Sequence, residues 1–86
     1  MARGNDDPLA GLANIDELIS NGGEISIGQI GPVKCAATAC DDDNCLAMLQ
    51  RRSGETLYQL LVRLNQAIAL AWDKGQFTDE INTPSE

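Results

Sequence analysis

"KCAATACDDDNCLAMLQ", residues 34–50, sets three cysteines five residues apart around three consecutive aspartates, in a chain without histidine. A metal site, a redox centre and a hairpin with an acidic turn all compete for this stretch, and the hairpin accounts for most of its residues. Aspartate and asparagine suit a tight turn because their side chains bond neighbouring backbone amides and tolerate left-handed angles. If the chain reverses at the centre of "DDDN", a two-residue or a four-residue loop sets Cys40 opposite Cys45 and Ala37 opposite Met48. One face then carries Val33, Cys35, Ala37, Ala39, Leu46 and Met48, and is the expected core face. The other carries Lys34, Ala36, Thr38, Cys40, Cys45, Ala47, Leu49 and Arg51.

The segments on either side extend the sheet and cover it. "EISIGQI", residues 24–30, alternates isoleucine with small or polar residues, the period of a strand with one buried face. Ile25 and Ile27 share a face and Ile30 falls on the other, so a bulge at Gly28 is expected to turn all three inward. Gly31 and Pro32 make the turn into Val33. Upstream, Leu12, Ile15, Leu18 and Ile19 form an apolar stripe at helical spacing that ends near Asn21, before Gly22 and Gly23. Two starts are open for this helix: Asp7 as cap with Pro8 in the first turn, or Asn14 as cap with Glu17 completing a capping box.

"SGETLYQLLVRLNQAIALAWDKGQ", residues 53–76, is the strongest helical signal in the chain. Leu57, Leu60, Leu61, Leu64, Ile68, Ala71 and Trp72 recur at intervals of three and four, a single stripe over about five turns. Ser53 is the expected cap, Glu55 lies where the helix dipole favours a negative charge, and Lys74 with Gly75 marks the end. Tyr58, Val62, Ala69 and Leu70 lie off the stripe. The expected fold is therefore α+β in two layers: a three-stranded antiparallel meander with an N-terminal and a long C-terminal helix on one face, in the order α-β-β-β-α. Residues 1–86 form one small domain, with 1–7 and 78–86 as flexible tails; Phe77 and Ile81 are expected to dock back onto the body.

Composition narrows the functional classes. A chain of this length buries only about 60–65% of the surface its unfolded form exposes, and its core must be aliphatic, because Tyr58, Trp72 and Phe77 are its only aromatic residues. The formal charge of −7 repels phosphate backbones and anionic membranes, so direct nucleic-acid and membrane binding are not expected. No stretch approaches the roughly 20 apolar residues of a membrane span and no apolar signal segment opens the chain, which together with an odd cysteine count points to the cytoplasm and free thiols.

Catalysis lacks its usual instruments. Without histidine, Ser-His and Cys-His nucleophiles are excluded, the acids cluster at element ends, and no phosphate loop or dinucleotide fingerprint is present, so no enzymatic activity and no cofactor are expected. Zinc needs closely paired thiolates completed by histidine or more cysteine, and the spacing here is five and five. A calcium loop beginning at Asp41 would place Leu46 at its glycine and Arg52 at its closing glutamate. A disulfide between Cys40 and Cys45 is geometrically accessible, yet the neighbouring aspartates raise thiol pKa values and favour inert thiols.

What remains is interaction. Ala36, Thr38, Cys40, Cys45, Ala47 and Leu49 on the outer sheet face, with Tyr58 and Val62 on the long helix, form the candidate interface, and Asp41, Asp42 and Asp43 the candidate acidic patch. The leading expectation is a small acidic, non-catalytic protein-binding module. Its partner is a protein: itself in a homodimer, or a basic nucleic-acid-handling protein that it inhibits by imitating phosphate charge. The alternative is a thiol-based redox or metal-responsive protein using Cys40 and Cys45. The element order also resembles that of double-stranded-RNA-binding domains, which grip phosphates with a lysine-rich start to the last helix; "RRSGETLYQ" offers Arg51 and Arg52 and then an acid.

Overall fold

The computed structural model describes residues 11–81. Its elements run α1 (Ala13–Ser20), β1 (Glu24–Ile30), β2 (Val33–Cys40), β3 (Cys45–Gln50), α2 (Leu57–Lys74) and β4 (Thr78–Asp79). The strands form one sheet in the order β1-β2-β3-β4, antiparallel except for β4, which runs parallel to β3. The segment expected as a tail begins with a strand: Thr78 and Asp79 lie beside Ala47 and Met48, and the Glu80 N–H donates to the Met48 carbonyl at 2.7 Å. A long helix that returns along the sheet brings the following segment in parallel. Residues 1–7, and with them the Asp7–Pro8 helix start, lie outside the described residues.

Both helices cover the same sheet face. Leu12, Ile15 and Leu18 from the first meet Leu60, Leu64, Ala67, Ile68 and Ala71 from the second over Ala37, Ala39, Leu46, Ala47 and Leu49. In β1 the register shifts between Gly28 and Ile30, and Gly28 has φ +137°, a conformation glycine adopts without strain. Ile25, Ile27 and Ile30 pair with Ala39, Ala37 and Val33, so all three share the inner face. Ile27 is nevertheless 42% exposed, because β1 is an edge strand only partly covered by the short α1.

A second bulge corrects the expected faces of β3. Cys40 pairs with Cys45, but Ala39 pairs with Ala47, Thr38 with Met48 and Ala37 with Leu49, so Leu46 is an extra residue in the ladder. Leu49 and Ala47, expected outside, are buried in the core, and Met48, expected inside, is half-buried on the outer face. The physical reason lies in the spacing of Leu46 and Leu49. Three apart, they fall on opposite faces of a regular strand, and each fully buried leucine contributes about 1.5–3 kcal/mol. One inserted residue lets both reach the core.

The helix caps also differ from expectation. α2 begins with Thr56, whose hydroxyl accepts from the Gln59 N–H while the Gln59 side chain accepts from the Thr56 N–H, a complete capping box; Ser53 and Glu55 lie outside the helix. Its far end is as expected, with Lys74 in the last turn and Gly75 in the left-handed region at φ +64°. Leu57 and Trp72, at the two ends of the expected stripe, are exposed. Asn14 caps nothing locally, because it lies inside α1. The cap of α1 comes from α2: Asn65 Oδ1 accepts the N–H groups of Asn14 at 2.9 Å and Ile15 at 3.1 Å, and the Asn65 carbonyl accepts from Asn14 Nδ2 at 3.1 Å. Asn65→Ala is expected to destabilise the domain by about 0.5–2 kcal/mol, the range for losing a helix cap, measured by urea unfolding. A change below a few tenths would show that water replaces Asn65 freely.

The connection from β3 to α2 is tied down by charge. Arg63 Nε and Nη2 donate to Glu55 Oε2 and Oε1 at 2.6 and 3.0 Å, Nη1 donates to Glu80 Oε2 at 3.0 Å, and Nη2 also reaches the Gln50 carbonyl at 2.9 Å. One guanidinium thereby joins the helix, the loop before it and the segment after β4. The hydrogen bond from Arg63 and that from the Arg52 backbone N–H lower the Glu55 carboxyl from its ordinary 4.5 to about 2. A carboxylate depressed in the folded state supports folding above its unfolded value, and that support fades as pH falls from 4.5 towards about 2. Acid titration followed by circular dichroism is expected to show this loss, and Glu55→Gln to remove that part of the pH dependence. An unchanged profile in the variant would refute the assignment.

Candidate functional site

The hairpin turn is built as its residues predict. Asp41 Oδ1 accepts the N–H groups of Asp43 and Asn44 at 2.8 and 2.7 Å, and the Asp41 N–H donates to the Asn44 carbonyl at 2.8 Å. One carboxylate thus shapes a four-residue loop. All three aspartates are exposed, so the candidate acidic patch is a continuous surface feature. Cys40 and Cys45 pair as a disulfide at the base of this loop, with their Cα atoms 4.0 Å apart, and Cys35 is a half-buried free thiol. Of the three cysteines, opposed strand positions bring two to disulfide distance, so the odd count is one pair and one remainder. Among the described residues no three Cys, Asp or Glu side chains are grouped so as to hold a metal ion.

The eight-residue candidate interface does not survive as one surface. Thr38 and Cys40 are half-buried and Cys45 is exposed, all at or near the disulfide, and Tyr58 is exposed at the other end of α2. Ala36, though on the outer face by alternation, is fully buried. Ala47 and Leu49 belong to the core because of the β3 bulge, and Val62 packs against that core. No helix among the described residues is long and apolar enough to cross a membrane.

Topology instead gathers a different group. α1 ends just before Glu24, which pairs with Cys40, and α2 ends just before Thr78, which pairs with Ala47. Both helix C-termini therefore lie at the end of the sheet that carries the Asp41–Asn44 loop. Three of the exposed large apolar residues, Ile19, Trp72 and Phe77, sit at that same end. Sequence periodicity places Ile19 and Trp72 in the buried stripes, yet both are exposed near the ends of their helices. Exposed apolar side chains and exposed carboxylates at one end of a sheet are the makings of an interface with an apolar centre and a charged rim. No protein-family model matches the chain, and no curated protein or solved structure is significantly similar to it.

Proposed function

We propose that the protein is a small non-catalytic binding module that docks a basic protein partner at the end of the sheet bearing Asp41, Asp42 and Asp43. The observation that carries this reading is the shared location of the acidic loop with Ile19, Trp72 and Phe77. Tryptophan is favoured at the energetic centre of interfaces, and neighbouring carboxylates steer a cationic partner and fix its orientation. Three adjacent exposed carboxylates also support the narrower version, a modulator of a nucleic-acid-handling protein that presents acids where phosphates otherwise bind.

The test uses the immobilised chain, its Trp72→Ala variant and a variant combining Asp42→Asn with Asp43→Asn. The wild type is expected to retain a basic protein from a lysate of its source cells at low salt and release it at high salt, with retention weakened in both variants. Retention insensitive to salt and to both variants would sink the proposal. A second copy on the same surface would appear as a concentration-dependent mass in sedimentation equilibrium.

The Cys40–Cys45 disulfide supports a second reading, a redox protein in which a dithiol reductant converts this bond to two thiols. Equilibration against dithiol buffers tests it. A potential below about −300 mV, the range of structural disulfides, would leave it without support.

A further inference from the structure

At the other end of the sheet the charge is reversed. The Gly31–Pro32 turn and the chain leaving β3 flank an open cleft of about 380 Å³ whose lining includes Lys34, Arg51, Arg52 and Ser53 and contains no carboxylate. It holds three of the six basic residues of a chain with formal charge −7. We propose that this cleft binds a small molecule carrying a phosphate monoester, with Lys34, Arg51 and Arg52 on the phosphate and Pro32 and Val33 against its apolar body.

Two of the three cations, Lys34 and Arg51, are presented rather than neutralised, and Arg52 shares Glu80 with Arg63. The Arg51 N–H donates to the Cys35 carbonyl at 3.0 Å and its Nε to the Glu55 carbonyl at 2.8 Å, and the Arg52 N–H donates to Glu55 Oε1 at 2.9 Å. Both arginines therefore stand on a fixed backbone. Glu55 is held by Arg63, and Glu80 is shared between Arg63 at 3.0 Å and Arg52 Nη2 at 3.6 Å, a partly exposed pair that a dianionic phosphate can displace. Lys34 and Arg51 form no ion pair among the described residues. Guanidinium forks match phosphate oxygens in pairs, and a third cation balances the second charge of a monoester.

The cleft has room for more than a bare ion. A cleft of about 380 Å³ is in the lower range of small-molecule sites, which leaves room for a ring or short chain beyond the phosphate. The acidic Asp41–Asp43 loop does not defeat attraction here, because it sits at the opposite end of the sheet and charges separated by more than about 8 Å are largely screened at physiological ionic strength.

Phenyl phosphate and inorganic phosphate are titrated into the intact protein and followed by amide NMR. Saturable shifts confined to Lys34, Arg51, Arg52, Ser53 and their neighbours are expected, with phenyl phosphate the tighter ligand. Arg51→Ala is expected to weaken phenyl phosphate by about tenfold, the loss of one charge-assisted bond. Lys34→Ala is a variant with little folding confound, since the side chain forms no hydrogen bond or ion pair among the described residues, and severalfold weakening is expected. Absence of saturation, or affinity unchanged in both variants, overturns the proposal. So do shifts of the same amides with protein concentration alone, which would place the acidic loop of a second copy in the cleft.

Discussion

Leu49→Ala is expected to destabilise the protein by about 2–5 kcal/mol, the range for truncating a buried leucine where the surroundings cannot collapse. Leu49 is 1% exposed and among the largest fully buried side chains. Its burial depends on Leu46 being an extra residue in β3. In the regular register the same side chain points away from the helices, and its removal costs less than about 1 kcal/mol, as surface changes do. Met48→Ala completes the comparison, because the two registers exchange these positions. Urea unfolding of both variants separates the arrangements: a larger loss at Met48 than at Leu49 would refute the bulge.

Leu64→Ala is expected to produce a loss of similar size, about 2–5 kcal/mol, for a different reason. Leu64 is fully buried in the middle of α2, flanked along the helix by buried Leu60 and Ile68. The sheet contributes Ala37, Ala39 and Ala47 to the same core, and these have no rotatable side chains with which to fill the space. A cavity there stays open, and residual cavity volume carries its own penalty. A loss below about 1 kcal/mol would mean that α2 does not rest on the sheet through this position.

The two bulges show how far the sequence can be read. Ile27 and Ile30 are three apart, as are Leu46 and Leu49, and in both pairs a regular strand would send one side chain to solvent. In β1 the conflict is legible, because Gly28 offers the positive φ that a bulge uses. In β3 no glycine marks the place, and the disulfide-linked pair Cys40 and Cys45 satisfies a regular register as well as a shifted one. The odd spacing of the leucines is the available signal. The caps follow the same division. Gly75 and Lys74 act on their own helix and are legible, whereas Asn65 caps a helix 50 residues earlier in the chain, and no local pattern reports that.

The candidate sites divide likewise. The acidic loop is legible because Asp41 bonds amides two and three residues away. The cleft joins Lys34 to Arg51 and Arg52 across two strands, and the exposed Ile19, Trp72 and Phe77 come to the same end of the sheet from two helices and the segment after the second.

Periodicity, turn chemistry and composition by themselves determined two helices, an antiparallel hairpin reversing at the aspartates, one layer of helices on one layer of sheet, and an aliphatic core. These properties depend on residues within a few positions of one another, where backbone geometry alone sets the outcome. Only the tertiary structure decided the faces of β3, the fourth strand, the cap from Asn65, the Arg63 clamp and the two oppositely charged ends. Each of these depends on packing between distant segments, where burial of a leucine outweighs a regular ladder and a side chain takes whichever partner the fold brings within reach.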